Sequence, residues 1–99
     1  MKKAFVLFAL ASVSAFAAEI TGFVGDASCG AKQADASESS AQCANRCVKR
    51  GDAAVLVTKD AKVYKIDKAS QEKVAKLIGK SVTVTGSVAD DTITIESVK

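Results

Sequence analysis

From Ser81 to Val98 the chain writes an alternating pattern twice. Val82, Val84 and Val88 fall on one face and Thr83, Thr85 and Ser87 on the other; after Ala89-Asp90-Asp91, Ile93 and Ile95 resume the apolar face. A period of two over both runs predicts two half-buried strands, joined by a turn whose aspartates suit such positions. Their shared apolar face has to be covered by the rest of a small chain. Gly86 interrupts the inner face and points to a tightly curved strand. Ser97-Val98 reverses the phase, so a bulge or a strand end is expected there.

The remaining elements follow from similar signals. Glu19 to Val24 reads as a strand, with Gly22 where a bend falls, and Cys29 to Ser37 reads as an irregular loop. Ser39 or Ser40 can cap a helix to about Arg50, its stripe formed by Cys43, Ala44, Cys47 and Val48. Lys49 and Arg50 complement its dipole, and Gly51 supplies the left-handed stop. Ala53 to Thr58 is a buried strand, Lys59-Asp60-Ala61 a hairpin connection and Lys62 to Asp67 the return. Ser70 can cap a second helix to Ile78, along a seam of Val74, Leu77 and Ile78, with Gly79 ending it.

The order is strand, helix, strand, strand, helix, strand, strand. Five short, mostly antiparallel strands on so few residues hide their edges and their apolar face together by closing into a barrel. A helix between the third and fourth strands is the arrangement of the OB-fold. The expectation is therefore a mainly β domain, a five-stranded antiparallel OB-fold-like small barrel with two short helices. The helix after strand 1 would be an insertion outside the barrel or across one end.

Residues 1–17 read differently. Met1-Lys2-Lys3 is a positive start, Ala4 to Ala11 is apolar, and Ala15-Phe16-Ala17 has the small-x-small form of a cleavage site. The expectation is a signal peptide over residues 1–17, cleaved after Ala17 or at the neighbouring Ala18, and a single domain over residues 18–99. The uncharged stretch from Ala4 to Ala18 falls short of the ~20 residues of a spanning helix, so no stable membrane anchor is expected after processing. The location would be periplasmic or secreted.

Composition excludes several functions. The chain has no histidine, which removes Ser-His-Asp and Cys-His catalysis and the usual histidine metal sites. Without Lys2 and Lys3, twelve of the fourteen basic residues remain and nearly balance the eleven acidic ones, and only Phe23 and Tyr64 remain as aromatics past the leader. Electrostatic capture of nucleic acid, or base stacking on an OB-type face, is not indicated. The lysines from Lys59 to Lys80 read as solvated surface balanced by Asp60, Asp67 and Glu72.

Chemistry is left to Cys29, Cys43 and Cys47. In an oxidising compartment two of three nearby cysteines are expected to pair. Cys43 and Cys47, one helical turn apart, have poor geometry for bonding to each other. Cys29–Cys47 is the preferred bridge because Cys47 lies nearer the anchored end of the helix; Cys29–Cys43 is the alternative. Such a loop closure is worth ~3 kcal/mol in the chain-entropy model. A second reading uses Cys29, Cys43 and Cys47 as thiolate ligands, for copper in a trigonal set or for zinc with an oxygen donor such as Asp26. A third is thiol redox, with Arg46, Lys49 and Arg50 lowering a thiolate pKa.

The segments ITGFVGDASCGAK, CANRCVKRG, VTVTG and DTITIESVK resemble a group of small exported bacterial domains of uncharacterised function, over essentially all of residues 18–99. The layout is similar, more distantly, to exported OB-fold proteins of the periplasm. The resemblance implies export and fold and no activity. The expected function is an exported, disulfide-stabilised, non-catalytic module of the cell envelope that binds a protein or small-molecule partner. The alternatives are a thiolate metal-binding protein for copper or zinc and a thiol redox protein.

Overall fold

The structure, a computed structural model, describes residues 18–99. The expected leader and its cleavage at Ala17 lie outside the described residues. Strand β1 (Ala18–Asp26) is followed by a 3-10 turn (Gly30–Gln33) and helix α1 (Glu38–Lys49). Strands β2 (Ala54–Val57) and β3 (Val63–Ile66) form a hairpin. A second 3-10 turn (Lys68–Ser70) runs into the single-turn α2 (Gln71–Val74), and β4 (Ser81–Ala89) and β5 (Thr92–Val98) complete the chain. The strands close into a barrel in the order β1-β2-β3-β5-β4, with β4 returning to β1. The closed five-stranded, mainly β barrel with two short helices is the architecture the sequence predicts.

One seam departs from the antiparallel pattern of the rest. β3 and β5 pair in parallel, Lys65 opposite Thr92 and Ile66 opposite Ile93, while the other four seams are antiparallel. Directions cannot alternate all the way round a ring with an odd number of strands, so closure forces one parallel pair.

β1 serves two partners. Residues Ala18–Phe23 pair with β4 and Phe23–Asp26 with β2. Gly22 lies at the changeover, where a Cβ would come within 2.8 Å of the Val57 carbonyl oxygen. Gly86 has an equivalent role on β4, because a Cβ there would fall on the backbone at Thr94. Beside it the register of β4 against β5 shifts. Thr85 faces Ser97 and Gly86 faces Ile95, so Glu96 is the extra residue of a bulge at the point where the apolar phase reverses. Val88, assigned inward by the alternation, is exposed: β4 pairs with β1 only as far as Gly86, and the hairpin tip runs beyond the barrel.

The core joins Phe23, Val24, Leu56, Ile66, Val82, Val84, Ile93 and Ile95 from the strands to Ala44 of α1 and Val74 and Ile78 beside α2. α1 packs on β1, so the second half of that strand is covered on both faces and Phe23 to Asp26 are all buried. Among the described residues, no helix is long and apolar enough to cross a membrane.

Both helices depart from expectation at their starts. Ser37, not Ser39 or Ser40, caps α1: its backbone is extended and its Oγ accepts from Ser40 N at 3.1 Å. Glu38 can therefore enter the first turn, where its charge suits the dipole. Asp67, not Ser70, caps the second helical segment, accepting from Ser70 N at 2.9 Å. The helix ends at Val74 instead of Ile78 because the chain turns onto the barrel. Gly79, at φ +85°, donates its N–H to the Val24 carbonyl at 2.8 Å, which pulls residues 75–78 out of helical register. Ser70 is buried and its Oγ accepts from Ile95 N.

Candidate metal centre

β1 ends on a carboxylate in the interior. Asp26 is fully buried, and a buried charge needs partners. Its Oδ2 accepts from Cys29 N at 3.0 Å and its Oδ1 from Gln33 Nε2 at 2.8 Å, while its own N–H donates to Gln33 Oε1 at 3.0 Å. The Gln33 amide thus grips both the backbone and the side chain of Asp26. Its Nε2 reaches on to the Ser40 carbonyl at 3.3 Å, tying the 3-10 turn to the first turn of α1. Gly25 makes room for this grip, since a Cβ there would collide with Gln33 Oε1. On the outer side the loop is pinned by Ala27 N to Ala53 O at 3.0 Å and by Ser28 Oγ to Asp52 Oδ2 at 2.6 Å.

That network delivers Cys29 to the helix. Its Sγ lies 3.3 Å from Cys43 Sγ. Cys47, one turn further along α1, is buried on the same stripe, and Arg50 Nη2 donates to its Sγ at 3.2 Å. Helix periodicity aligns Cys43 and Cys47, and Gly51 at φ +110° stops the helix just after Arg50. One oxygen of Asp26 and the sulfurs of Cys29, Cys43 and Cys47 all lie within 4.8 Å of one another. Tetrahedral zinc with Zn–S near 2.3 Å places its sulfurs roughly 3.8 Å apart. The four donors therefore already lie near the mutual spacing that one cation needs.

The electrostatics suit a cation as well. Contact with Cys29, then burial, pushes the Cys43 thiol above its ordinary range. Burial pushes the Cys47 thiol up, with the Arg50 hydrogen bond opposing it. Burial contributes to both shifts, and the neighbouring sulfurs add to them. A bound dication reverses both and deprotonates the thiols it binds. Asp26 uses two of its roughly four acceptor positions on Cys29 N and Gln33, which leaves others for a metal.

All three sequence-singled cysteines and Asp26 are thus brought together. No pair of the three lies at bonding distance: the 3.3 Å contact exceeds the ~2.05 Å of a bond. That contact joins the alternative pair, Cys29 and Cys43, in place of the preferred Cys29 and Cys47, because the 3-10 turn presents Cys29 to the middle of the helix. Arg46 and Lys49 lie on the exposed side of α1, and Arg50 is the basic residue that reaches a sulfur. Sequence reasoning missed Gln33, which sits among small polar residues with no periodicity to mark it.

Away from the site, Asp90 and Asp91 form the β4–β5 turn in left-handed conformations (φ +52° and +62°), and Asp91 pairs with Lys62 at 3.0 Å on an exposed edge. Both observations agree with the turn and solvated-surface readings.

No curated protein and no solved structure matches this chain. A family model does match residues 47–99, from Cys47 through β5, leaving Asp26, Cys29 and Cys43 upstream of the matched segment. By that match, which takes in β2 to β5 and just over half of the residues, the chain belongs to the family described as protein of unknown function (DUF5818).

Proposed function

We propose that this protein is a zinc-binding module of the cell envelope, exported by its leader, in which Asp26, Cys29, Cys43 and Cys47 hold one ion. The supporting observation is the convergence of four donor atoms, from the end of β1, the loop after it and two turns of α1, to within 4.8 Å of one another. Three thiolates alone suit Cu(I) equally well. The carboxylate oxygen among them favours zinc, which accepts mixed sulfur and oxygen sets. The Gln33 grip on Asp26 is the kind of outer contact that orients a ligand before the metal arrives. The absence of histidine and the lack of a nucleophile–base pair among these residues favour a binding role over catalysis.

The competing reading is a permanent Cys29–Cys43 staple, favoured by their 3.3 Å contact. Metal titration of the reduced protein decides between them. Stoichiometric zinc binding, and tetrahedral thiolate–cobalt absorption on substitution with Co²⁺, are expected. Cys47→Ser should abolish both. Asp26→Asn should weaken zinc far more than Cu(I). Failure of the reduced protein to take up either metal overturns the proposal.

A further inference from the structure

The three thiols are not equivalent. Cys47 is buried and its sulfur is held by Arg50, whereas Cys29 and Cys43 are both half-buried and touch at 3.3 Å. Cys43 and Cys47 project from one helical face with nearly parallel directions, which is poor geometry for a bridge. Cys29 comes from a different element. It sits on the loop just before Gly30, whose φ of +47° marks a turn, and the bond from its N–H to Asp26 holds its sulfur against Cys43. A movement of little more than 1 Å would bring Cys29 and Cys43 to bonding distance, about 2.05 Å. The same movement would remove two of the four donors.

From these differences we infer that the zinc site is redox-regulated: a small-molecule disulfide oxidant joins Cys29 to Cys43 and expels the ion, leaving Cys47 as a thiol beside Arg50. The inference rests on the zinc reading. In the first step the Cys29 thiolate attacks one sulfur of the oxidant. The oxidant's S–S bond breaks, one thiolate leaves, and a mixed disulfide remains on Cys29. The Cys43 thiolate then attacks the Cys29 sulfur, forming the Cys29–Cys43 bond and releasing the second thiolate. The protein pair loses two electrons, the oxidant's sulfurs gain them, and the two thiolates take protons from water. Zinc departs to solvent because neither sulfur of the new disulfide is a thiolate donor. Partial exposure of this pair alone gives the oxidant its approach, and the burial of Cys47 protects the third thiol.

The test uses zinc-loaded protein and oxidised glutathione. Zinc release is followed with a chromophoric chelator and the linkage is read by non-reducing tryptic mass spectrometry. Arg46 separates Cys43 from Cys47, and Lys32 separates Cys29 from Cys43, so the three cysteines fall on three peptides. Stoichiometric release with a Cys29–Cys43 peptide pair, reversed by dithiothreitol, is expected. Zinc that binds but stays on under oxidation, or a bridge that includes Cys47, overturns the regulation and leaves the zinc reading standing. Protein that takes up no zinc when reduced overturns both. Cys47→Ala serves as a control: the Cys29–Cys43 bridge should still form in it under oxidised glutathione, and failure to form it there counts against the assigned pair.

Discussion

The β4–β5 hairpin and the corner where β1 meets α1 are built by opposite means. The hairpin rests on repetition: alternating valines, isoleucines and threonines, a two-aspartate turn and one glycine where the backbone of the next strand comes close. Each residue needs only its neighbours' pattern to know its side. The cysteine corner rests on single residues separated in sequence. A buried carboxylate, an amide seven residues on, and thiols a helix away each depend on one specific partner. Patterned regions tolerate exchange of like for like, whereas a network of unique partners tolerates none.

Substitutions at four positions can break or sharpen that contrast. The largest effect should come from Leu56→Ala, which empties the centre of the barrel at a fully buried side chain. A loss of about 2–5 kcal/mol is expected from chemical denaturation of the metal-free protein, comparable to the whole stability of a small domain. If Leu56→Val, by contrast, costs as much, the barrel is less tolerant than a patterned core should be. Next comes Gln33→Leu. It keeps the volume but strips Asp26 of its orienting amide, so zinc affinity should fall roughly 10- to 100-fold while the barrel's near-native circular dichroism persists. Gly25→Ala should reproduce that loss by displacing the same amide. Unchanged zinc affinity in both would show that Asp26 needs no support.

The smallest effect concerns Asp67, which lies on the barrel side of the comparison. Its carboxylate accepts from the backbone N–H of Ser70 and from Thr94 Oγ1, and these bonds hold its pKa below the ordinary value. A depressed native pKa means that the ionised form stabilises the fold. That contribution is present above the ordinary carboxylate value near 4 and is lost as pH falls through the native one. Asp67→Asn should therefore flatten the acid limb of the melting-temperature profile below about pH 4, with little change in zinc affinity.

How much was legible in the sequence follows the same division. The alternation of residues 81–98, the stop at Gly51 and the phase reversal after Ile95 all predict what the fold contains, because each is local. The caps were misplaced by two or three residues because several serines and aspartates compete for those positions, and tertiary contacts choose among them. The second helix is shorter than its apolar seam predicts because nothing in Ala75 to Ile78 reveals that Gly79 will bond to Val24 across the barrel. The cysteines stood out by their chemistry and Asp26 by its proximity to Cys29. Gln33 has no mark at all, since its importance lies in hydrogen bonds to Asp26 and Ser40 that exist only once β1 and α1 are docked.

The parallel seam between β3 and β5 also dictates when this ring can shut. β5 lies between β3 and β4, yet it follows every other strand along the chain. No order of earlier events can seal the barrel, because two of its five seams wait for the strand that comes last. A polypeptide passing through a narrow channel with its N-terminus leading could form the other three seams but would stay an open ring until that strand emerged. Both sides of the gap would then close together.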